Sequence, residues 1–193
     1  MNSVRILGVD PSLKNTGIAI AEYDLASADF NVIHIDLFST EPAKGKVVRK
    51  SSDDVERMSI ALEGVMKAID TYQPAFAAGE VPVASQSARG AFSNGGCHMM
   101  FAAIRWRIPL VQVSPMEVKI ASAGPKHASK EEMIEWAVAK WPGLPWHTYK
   151  RAGQMLMTAD NEHMADACGA IAAGVKTQQF AQATAMLRQM RAA

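Results

Sequence analysis

The stretch Ile6-Leu-Gly-Val-Asp-Pro-Ser-Leu-Lys-Asn-Thr-Gly-Ile-Ala-Ile20 places two apolar, β-branched runs on either side of an Asp-Pro turn. This pattern predicts two buried strands, the first of which stops at Asp10. A carboxylate is costly to bury unless it is paired with a cation or hydrogen-bonded, so an acid at the end of a buried strand is a candidate site residue. The competing interpretation makes Asp10 a turn-former ahead of Pro11.

The rest of the chain extends this beginning into an α/β pattern. A third strand is predicted at residues 30–38, and a lysine-rich loop follows at residues 41–52. Three strands joined by short turns, followed by strand–helix alternation, predict a mixed five-stranded sheet with helices on both faces. The later elements are predicted as a helix at 53–72 capped by Ser52 or Asp53, a strand at 75–81, a helix at 88–107 with a break or kink at Gly95-Gly96, a strand at 109–113, and helices at 115–121, 129–140, 161–176 and 178–191.

Three further residues are candidates for the same site as Asp10. Glu80 stands near the end of a predicted strand, and two strands that each end in an acid indicate a shared divalent cation. The alternative for Glu80 is a solvated strand end. His163 and Asp166 share one face of a helix rich in small residues, which can pack closely against a sheet. The alternative for this pair is a surface hydrogen bond.

Composition limits the function only weakly. The 193 residues, 49% of them apolar, suit a single domain spanning 1–193, and no apolar stretch is long enough to cross a bilayer. Cys97 and Cys168 stand far apart, as is typical of reduced thiols in the cytoplasm. The formal charge of +1 argues neither for nor against nucleic acid, because local clusters of cations decide such binding. Two clusters are present: Lys44, Lys46, Arg49 and Lys50, and Lys119, Lys126, His127 and Lys130.

Several motifs together resemble one known family. The stretch from Ile6 to Ile20 resembles the opening strand–turn–strand of RuvC-like Holliday junction resolvases, which belong to the ribonuclease H-like superfamily. Ala78-Gly-Glu-Val-Pro-Val83 resembles their second acidic strand, and Ala165-Asp-Ala-Cys-Gly-Ala-Ile-Ala172 resembles their last acidic helix. Met116-Glu-Val-Lys119 with Ser129-Lys130 resembles their lysine-bearing segment. The resemblance covers about residues 4 to 176 in the order of the family.

The resemblance implies a ribonuclease H-like, magnesium-dependent endodeoxyribonuclease that hydrolyses DNA with two Mg²⁺ or Mn²⁺ ions. It implies that the catalytic, metal-binding residues are Asp10, Glu80, His163 and Asp166, with Glu162 as an alternative ligand. It also implies that Lys119 and Lys130 contact the DNA backbone. The DNA contacts predicted for the lysine-rich loop are Lys44, Lys46, Arg49 and Lys50.

The implied substrate is a branched DNA, the four-way Holliday junction. Two symmetric nicks need two sites, which implies a homodimer. The helix at 88–107 either supplies the interface or packs all its apolar residues against the sheet; these are Phe92, Met99, Met100, Ile104 and Trp106. Family members commonly carry an aromatic residue just after the second acid, whereas here none occurs before Phe92, so either Phe92 or another group opens the junction.

Other functions remain as alternatives at this point. A broader branched-DNA or flap endonuclease would use the same site. A nucleotide-binding protein of the actin-like or sugar-kinase type shares the opening turn, but the chain is short for two lobes and lacks a second glycine-rich loop. A relative that binds without cutting is disfavoured by the three acids. The expected compartment is the cytoplasm of a prokaryotic or phage-infected cell, and the sequence identifies no helicase partner.

Overall fold

A computed structural model describes residues 3–45, 49–83 and 85–192. Its centre is a five-stranded sheet in the order β3-β2-β1-β4-β5. The pairs β1–β2 and β2–β3 are antiparallel, whereas β1–β4 and β4–β5 are parallel. The predicted mixed sheet, three antiparallel strands and then strand–helix alternation, is therefore confirmed. The strands are β1 (Ser3–Asp10), β2 (Asn15–Asp24), β3 (Phe30–Ser39), β4 (Phe76–Glu80) and β5 (Leu110–Val113).

Two layers of helices cover the sheet, as the sequence predicted. Two helices pack on one face, and the other four pack on the opposite face, where they form the larger of the two cores. Among the described residues no helix is long and apolar enough to cross a membrane. The first layer is α1 (Lys50–Tyr72) and α2 (Ala88–Arg107), and the second is α3 (Pro115–Ala121), α4 (Lys130–Lys140), α5 (Asn161–Gly174) and α6 (Gln178–Ala192).

The central strand β1 is apolar almost throughout because it is buried on both faces. Ile6 points into the core beneath α5, and its neighbours Leu7 and Val9 point into the core beneath α1 and α2. Since β1 and β4 are parallel, their carboxyl ends lie at the same edge of the sheet. This topology brings the ends of the two strands, Asp10 and Glu80, to one edge.

Two glycines allow α5 to lie directly on the strands. A Cβ atom placed on Gly8 would stand 2.1 Å from the carbonyl oxygen of Ala167, and one on Gly17 would stand 2.1 Å from that of His163. Neither distance leaves room for any side chain. Gly17 is also the pairing partner of Asp10 in the β1–β2 ladder. The absence of a side chain at Gly17 therefore lets the helix segment that carries His163 lie beside Asp10.

Two predicted details of the first helical layer are wrong. Helix α1 begins at Lys50, and its N-cap residue is Arg49, which makes no side-chain capping bond, so neither Ser52 nor Asp53 caps it. Helix α2 continues through Gly95, so of the two predicted alternatives the break is wrong. Burial of one face of α2 against the sheet offsets the poor helix propensity of the glycine pair. The buried residues of that face are Cys97, Met100, Phe101 and Ile104.

A second, two-stranded sheet was not predicted. It consists of β6 (Thr148–Arg151) and β7 (Gln154–Met157), which pair antiparallel between α4 and α5. The two residues of the turn, Ala152 and Gly153, have φ angles of 48° and 84°. Positive φ at both central positions is the geometry of tight hairpin turns whose twist matches that of the strands.

Candidate active site

Four of the residues expected to form the site come from three elements that meet at one edge of the sheet. Asp10 ends β1 and Glu80 ends β4, while His163 and Asp166 lie on the first turns of α5. The Nδ1 atom of His163 lies 2.7 Å from Oδ2 of Asp10, within hydrogen-bonding distance. Both side chains are largely buried, with 23% of His163 and 18% of Asp10 exposed. The pair joins the end of β1 to α5.

The carboxylates of this cluster act on one another through their charges. Burial, followed by the charges of Asp10 and Glu80, raises the pKa of Asp166 to about 8. Burial and the charge of Asp10 raise the pKa of Glu80 to about 7. Burial also raises the pKa of Asp10, although its bond to His163 opposes this effect. Asp10 acts on both other acids and Glu80 acts on Asp166, which indicates that the three acids are close enough to repel one another when ionised.

The imidazole of His163 balances part of that negative charge. Burial lowers the pKa of the His163 ring, but the hydrogen bond to Asp10 and the charges of Asp10, Glu162 and Asp166 outweigh burial and raise it above its usual value. The ring therefore holds its proton to a higher pH than an ordinary histidine does. In that form it donates the Nδ1 proton to the Asp10 carboxylate.

The cluster has the donor chemistry of a site for a hard divalent cation. Carboxylate oxygens are the ligands that Mg²⁺ and Mn²⁺ prefer, and several buried acids that repel one another are stabilised by a cation between them. In the described part of the chain, however, no three His, Cys, Asp or Glu side chains are arranged so that they could hold a metal ion as they stand. The donor atoms fit a cation, but their side chains would have to turn toward it.

Two of the predicted DNA-binding lysines lie at this edge. The positive charge of Lys119, on α3, lowers the pKa of Glu80, so Lys119 is near that carboxylate. Lys130, at the start of α4, makes an ion pair of 2.7 Å with Oε2 of Glu162. Its charge also acts on Asp10. The structure thus brings Lys119 and Lys130 to the acid cluster, and Glu162 faces Lys130.

The cations of the lysine-rich segment follow β3, which runs parallel to β1 and ends at the same edge of the sheet. Lys44 stands in the loop after β3, and Arg49 and Lys50 stand at the start of α1; all three are exposed. Lys50 belongs to the helix and not to the predicted loop. Lys46 lies outside the described residues. The cations whose charges act on the acids are those of α3 and α4.

Buried polar residues that the sequence interpretation overlooked support the turn after Asp10. Cys97 donates its thiol proton to the carbonyl oxygen of Pro11 (3.2 Å), and Arg57 donates to that of Leu13 (3.2 Å). The side chain of Asn15 donates to Asp160, the residue before α5 (3.1 Å). No local signal marks these roles, because Asn15 stands between Lys14 and Thr16, and Arg57 stands between Glu56 and Met58.

The five apolar residues of the predicted α2 interface are of two kinds, buried and exposed. Met100 and Ile104 are buried against the sheet, whereas Phe92 is 52% exposed, Met99 is 69% exposed and Trp106 is 90% exposed. Phe92 and Met99 line an apolar groove between α1 and α2. The hypothesis that all five residues face the sheet is therefore wrong for three of them.

The chain matches known proteins in both sequence and fold. The family model described as crossover junction endodeoxyribonuclease RuvC matches residues 6–139, which include Asp10 and Glu80 and end before α5. The proteins of that name from Methylobacillus flagellatus and Parasynechococcus marenigrum are 30% and 29% identical to it, over 73% and 68% of this chain and 78% and 80% of their own.

Solved structures show the same fold at low sequence identity. The structure of Thermus thermophilus RuvC in complex with a Holliday junction substrate superposes with a TM-score of 0.61 at 20% identity, covering 88% of this chain and 92% of that one. The yeast mitochondrial Holliday junction resolvase Ydc2 superposes with a TM-score of 0.56 at 13% identity, covering 97% and 84%. Because the family model matches residues 6–139, the chain belongs to the family of crossover junction endodeoxyribonucleases RuvC.

Proposed function

We propose that this protein is a metal-dependent endonuclease that resolves four-way DNA junctions by paired, symmetric nicks. The observation that carries the proposal is the cluster of mutually repelling acids Asp10, Glu80 and Asp166 at one sheet edge of a RuvC family member. The names of the matched relatives, and a fold shared with a resolvase solved on a Holliday junction, support the substrate. Membership of this family disfavours the actin-like or sugar-kinase alternative.

The residues that would hold the metal are the three acids, with His163 as a fourth ligand. We propose two Mg²⁺ ions, replaceable by Mn²⁺, because three carboxylates supply more negative charge than one ion balances. When bound, the ions supply an acidified water as nucleophile and positive charge beside the leaving 3′ oxygen. The Nδ1–Asp10 bond fixes one ring nitrogen of His163 and leaves Nε2 as the atom available for a ligand or a proton.

The cations around the acids would position the DNA backbone. Lys119 and Lys130 stand beside the acids, so each can bind a phosphate near the one that is cut. Lys130 would exchange its partner Glu162 for the phosphate, which leaves Glu162 as an additional acid near the metals. The exposed Lys44, Arg49 and Lys50, together with Lys46, would contact DNA farther from the cut.

Two properties of the whole protein follow from this function. A four-way junction has two-fold symmetry, so paired nicks need a homodimer with two sites. The exposed side of α2 is the surface that we propose for it. We also propose that the chain folds as one nuclease domain over residues 1–193 and acts in the cytoplasm of a prokaryotic or phage-infected cell. The two relatives matched by sequence, from Methylobacillus flagellatus and Parasynechococcus marenigrum, are bacterial proteins.

The test compares DNA of different shapes in the presence of Mg²⁺. We expect the wild-type protein to cut synthetic four-way junctions much faster than three-way, flap or linear duplex DNA. Asp10→Asn should bind the junction normally and cut it only at background rate. The matched control is Asp36→Asn, which makes the same change at an exposed position of β3 and should cut like the wild type.

Each other outcome has a defined meaning. Normal cleavage by Asp10→Asn would show that the proposed site is wrong. Equal cleavage of flaps and four-way junctions would replace the resolvase with the broader branched-DNA nuclease. Binding without any cleavage by the wild-type protein would identify a relative that binds but does not cut.

A further inference from the structure

The β6–β7 hairpin protrudes from the surface between α4 and α5. All eight residues of its two strands are exposed, including Tyr149 at 44% and Met155 at 62%. An isolated two-stranded hairpin is marginally stable at best in water. A hairpin with no buried strand residue must therefore be held in place by contacts outside its strands.

The hairpin is anchored by Asn161, the first residue of the helix that carries His163 and Asp166. Its side-chain amide donates to the carbonyl oxygens of His147 (2.8 Å) and Thr158 (3.1 Å), which flank the hairpin, and its carbonyl oxygen accepts from the backbone N–H of His147 (2.9 Å). Asn161 is completely buried. The base of the hairpin is thus tied to the active-site helix by a fully desolvated side chain.

The hairpin carries positive charge without any negative charge. The segment from residue 145 to residue 159 contains Lys150 and Arg151 and no acid, in a chain whose 20 basic and 19 acidic residues almost balance. In the antiparallel register Lys150 pairs with Met155, and Arg151 pairs with Gln154 beside the turn. Because neighbouring residues of a strand point to opposite faces, each face of the tip presents one cation.

A groove joins the hairpin to the active-site edge. Tyr149 and Met157 form one wall, and Ile134 and Val138 of α4 form the other. Lys130, the partner of Glu162, also lines this groove, as do Glu131 and Glu135 of α4. The groove therefore connects the base of the hairpin with a cation beside the acid cluster, and its α4 wall also carries two acids.

We propose that the β6–β7 hairpin is a second DNA-binding element, in which Lys150 and Arg151 bind phosphates of the strand that is cut. The inference rests on the proposed function, because it assumes that DNA lies over the acid cluster. Three or four residues of strand, the hydrogen-bonded step from His147 to Asn161 and five residues of helix separate the tip cations from Asp166, a path of roughly 25 Å. At 3.4 Å per nucleotide, the contacted phosphates lie within about seven nucleotides of the cut.

Charge complementarity favours DNA over a second copy of this chain as the occupant. A protein surface would have to supply acids to two neighbouring cations, whereas a DNA strand supplies a phosphate at every nucleotide. Cleavage requires a DNA phosphate beside the acid cluster. The hairpin is fixed to α5, the helix that carries His163 and Asp166. The cations can therefore hold a strand whose scissile phosphate lies over Asp10 and Asp166.

The test uses the double variant Lys150→Ala/Arg151→Ala on a four-way junction. Its control, Lys67→Ala/Arg105→Ala, removes the same charge from exposed positions that precede β4 and β5, at the opposite edge of the sheet. We expect the hairpin variant to bind about 10- to 50-fold more weakly at 0.1 M salt. The slope of log K against log salt should become less steep by about 1.8, as for two lost phosphate contacts. Lys150→Arg/Arg151→Lys should restore both.

A modified substrate locates the contact. Neutral methylphosphonates at the contacted phosphates, within about seven nucleotides of the cut, should weaken binding of the wild type and of the control variant but leave the hairpin variant unaffected. Cleavage by the hairpin variant at saturating protein should match the wild type, because the acids are untouched. Thermal denaturation of each variant checks that it is folded.

Two results would overturn the inference while leaving the proposed function in place. One is a hairpin variant that binds the four-way junction with the affinity and the salt dependence of the wild type. The other is a change of its oligomeric state in sedimentation, which would assign the hairpin to protein–protein contact. If the wild-type protein neither binds nor cuts four-way junctions, the proposed function fails and the hairpin inference falls with it.

Discussion

The acid cluster makes the free energy of unfolding depend on pH. The pKa of Glu80 is raised to about 7 and that of Asp166 to about 8, both first of all by burial. A carboxyl with a raised pKa stabilises the fold fully below its ordinary pKa, and that stability is lost as the pH rises through the folded-state pKa. The raised pKa of His163 acts in the same direction. We therefore expect the metal-free protein to lose stability as the pH rises from about 5 to about 9.

Urea denaturation in EDTA across this range measures the effect. Asp166→Asn should flatten the pH dependence, because it removes the carboxyl whose pKa is raised to about 8. Excess Mg²⁺ should restore stability at high pH, since the cation replaces the protons. The affinity for Mg²⁺ should rise up to tenfold per pH unit for each carboxyl that must lose its proton. A metal-free protein that becomes more stable between about pH 5 and 8 would contradict the burial of these acids.

The residues of the site differ in how well the sequence could predict them. Asp10 and Glu80 were predictable because each ends an apolar run, and the cost of burying a carboxylate makes such a position unusual. The contact of Lys130 with Glu162 was not predictable, because it joins residues 32 positions apart on separate helices. Their pairing depends on how α4 packs against α5, which no local pattern specifies.

At the scale of elements, the close approach of α5 to the sheet depends on glycine. We expect Gly17→Ala to destabilise the fold by about 2 kcal/mol or more, because its Cβ would overlap the carbonyl oxygen of His163, a backbone atom that cannot move aside. Cleavage should fall as well, because the displaced helix carries His163 and Asp166. Urea denaturation and the junction-cleavage rate measure the two effects.

The matched control makes the same change where there is space. A Cβ on Gly95 of α2 meets nothing within 4 Å, so Gly95→Ala should stabilise the protein by about 0.5–1 kcal/mol through helix propensity. If Gly17→Ala is as stable and as active as the wild type, α5 does not lie as close to β2 as the structure places it.

The elements also show where sequence patterns fail. The five sheet strands were predictable because burial selects apolar, β-branched runs. The β6–β7 hairpin buries no residue of its strands, so it lacks the alternation that identifies a half-buried strand. Its turn is Ala152-Gly153, with alanine at a position of positive φ where asparagine or glycine is the usual signal. The structure of this segment follows from its anchor at Asn161, a tertiary contact.

At the scale of the whole molecule, α2 presents an apolar surface on the side away from the sheet. Phe92, Met99 and Trp106 recur at intervals of seven residues, so they lie along one side of the helix, and all three are exposed. The groove between α1 and α2 continues this surface. Exposed apolar side chains aligned in this way mark a surface for association. Two acid clusters, one in each subunit, could then face the two symmetric strands of a junction.

Met99→Glu tests this surface, because a charge buried in an apolar interface is strongly destabilising. We expect the wild-type protein to sediment as a dimer and Met99→Glu as a monomer that remains folded, since Met99 is 69% exposed within one chain. On a supercoiled plasmid with an extruded cruciform, the dimer should give linear product from two coupled nicks, whereas the monomer should accumulate nicked circles. Met186→Glu, the same change at an exposed position of α6, should behave like the wild type. A wild-type protein that stays monomeric on DNA and still makes linear product would show that coupled nicking does not need this interface.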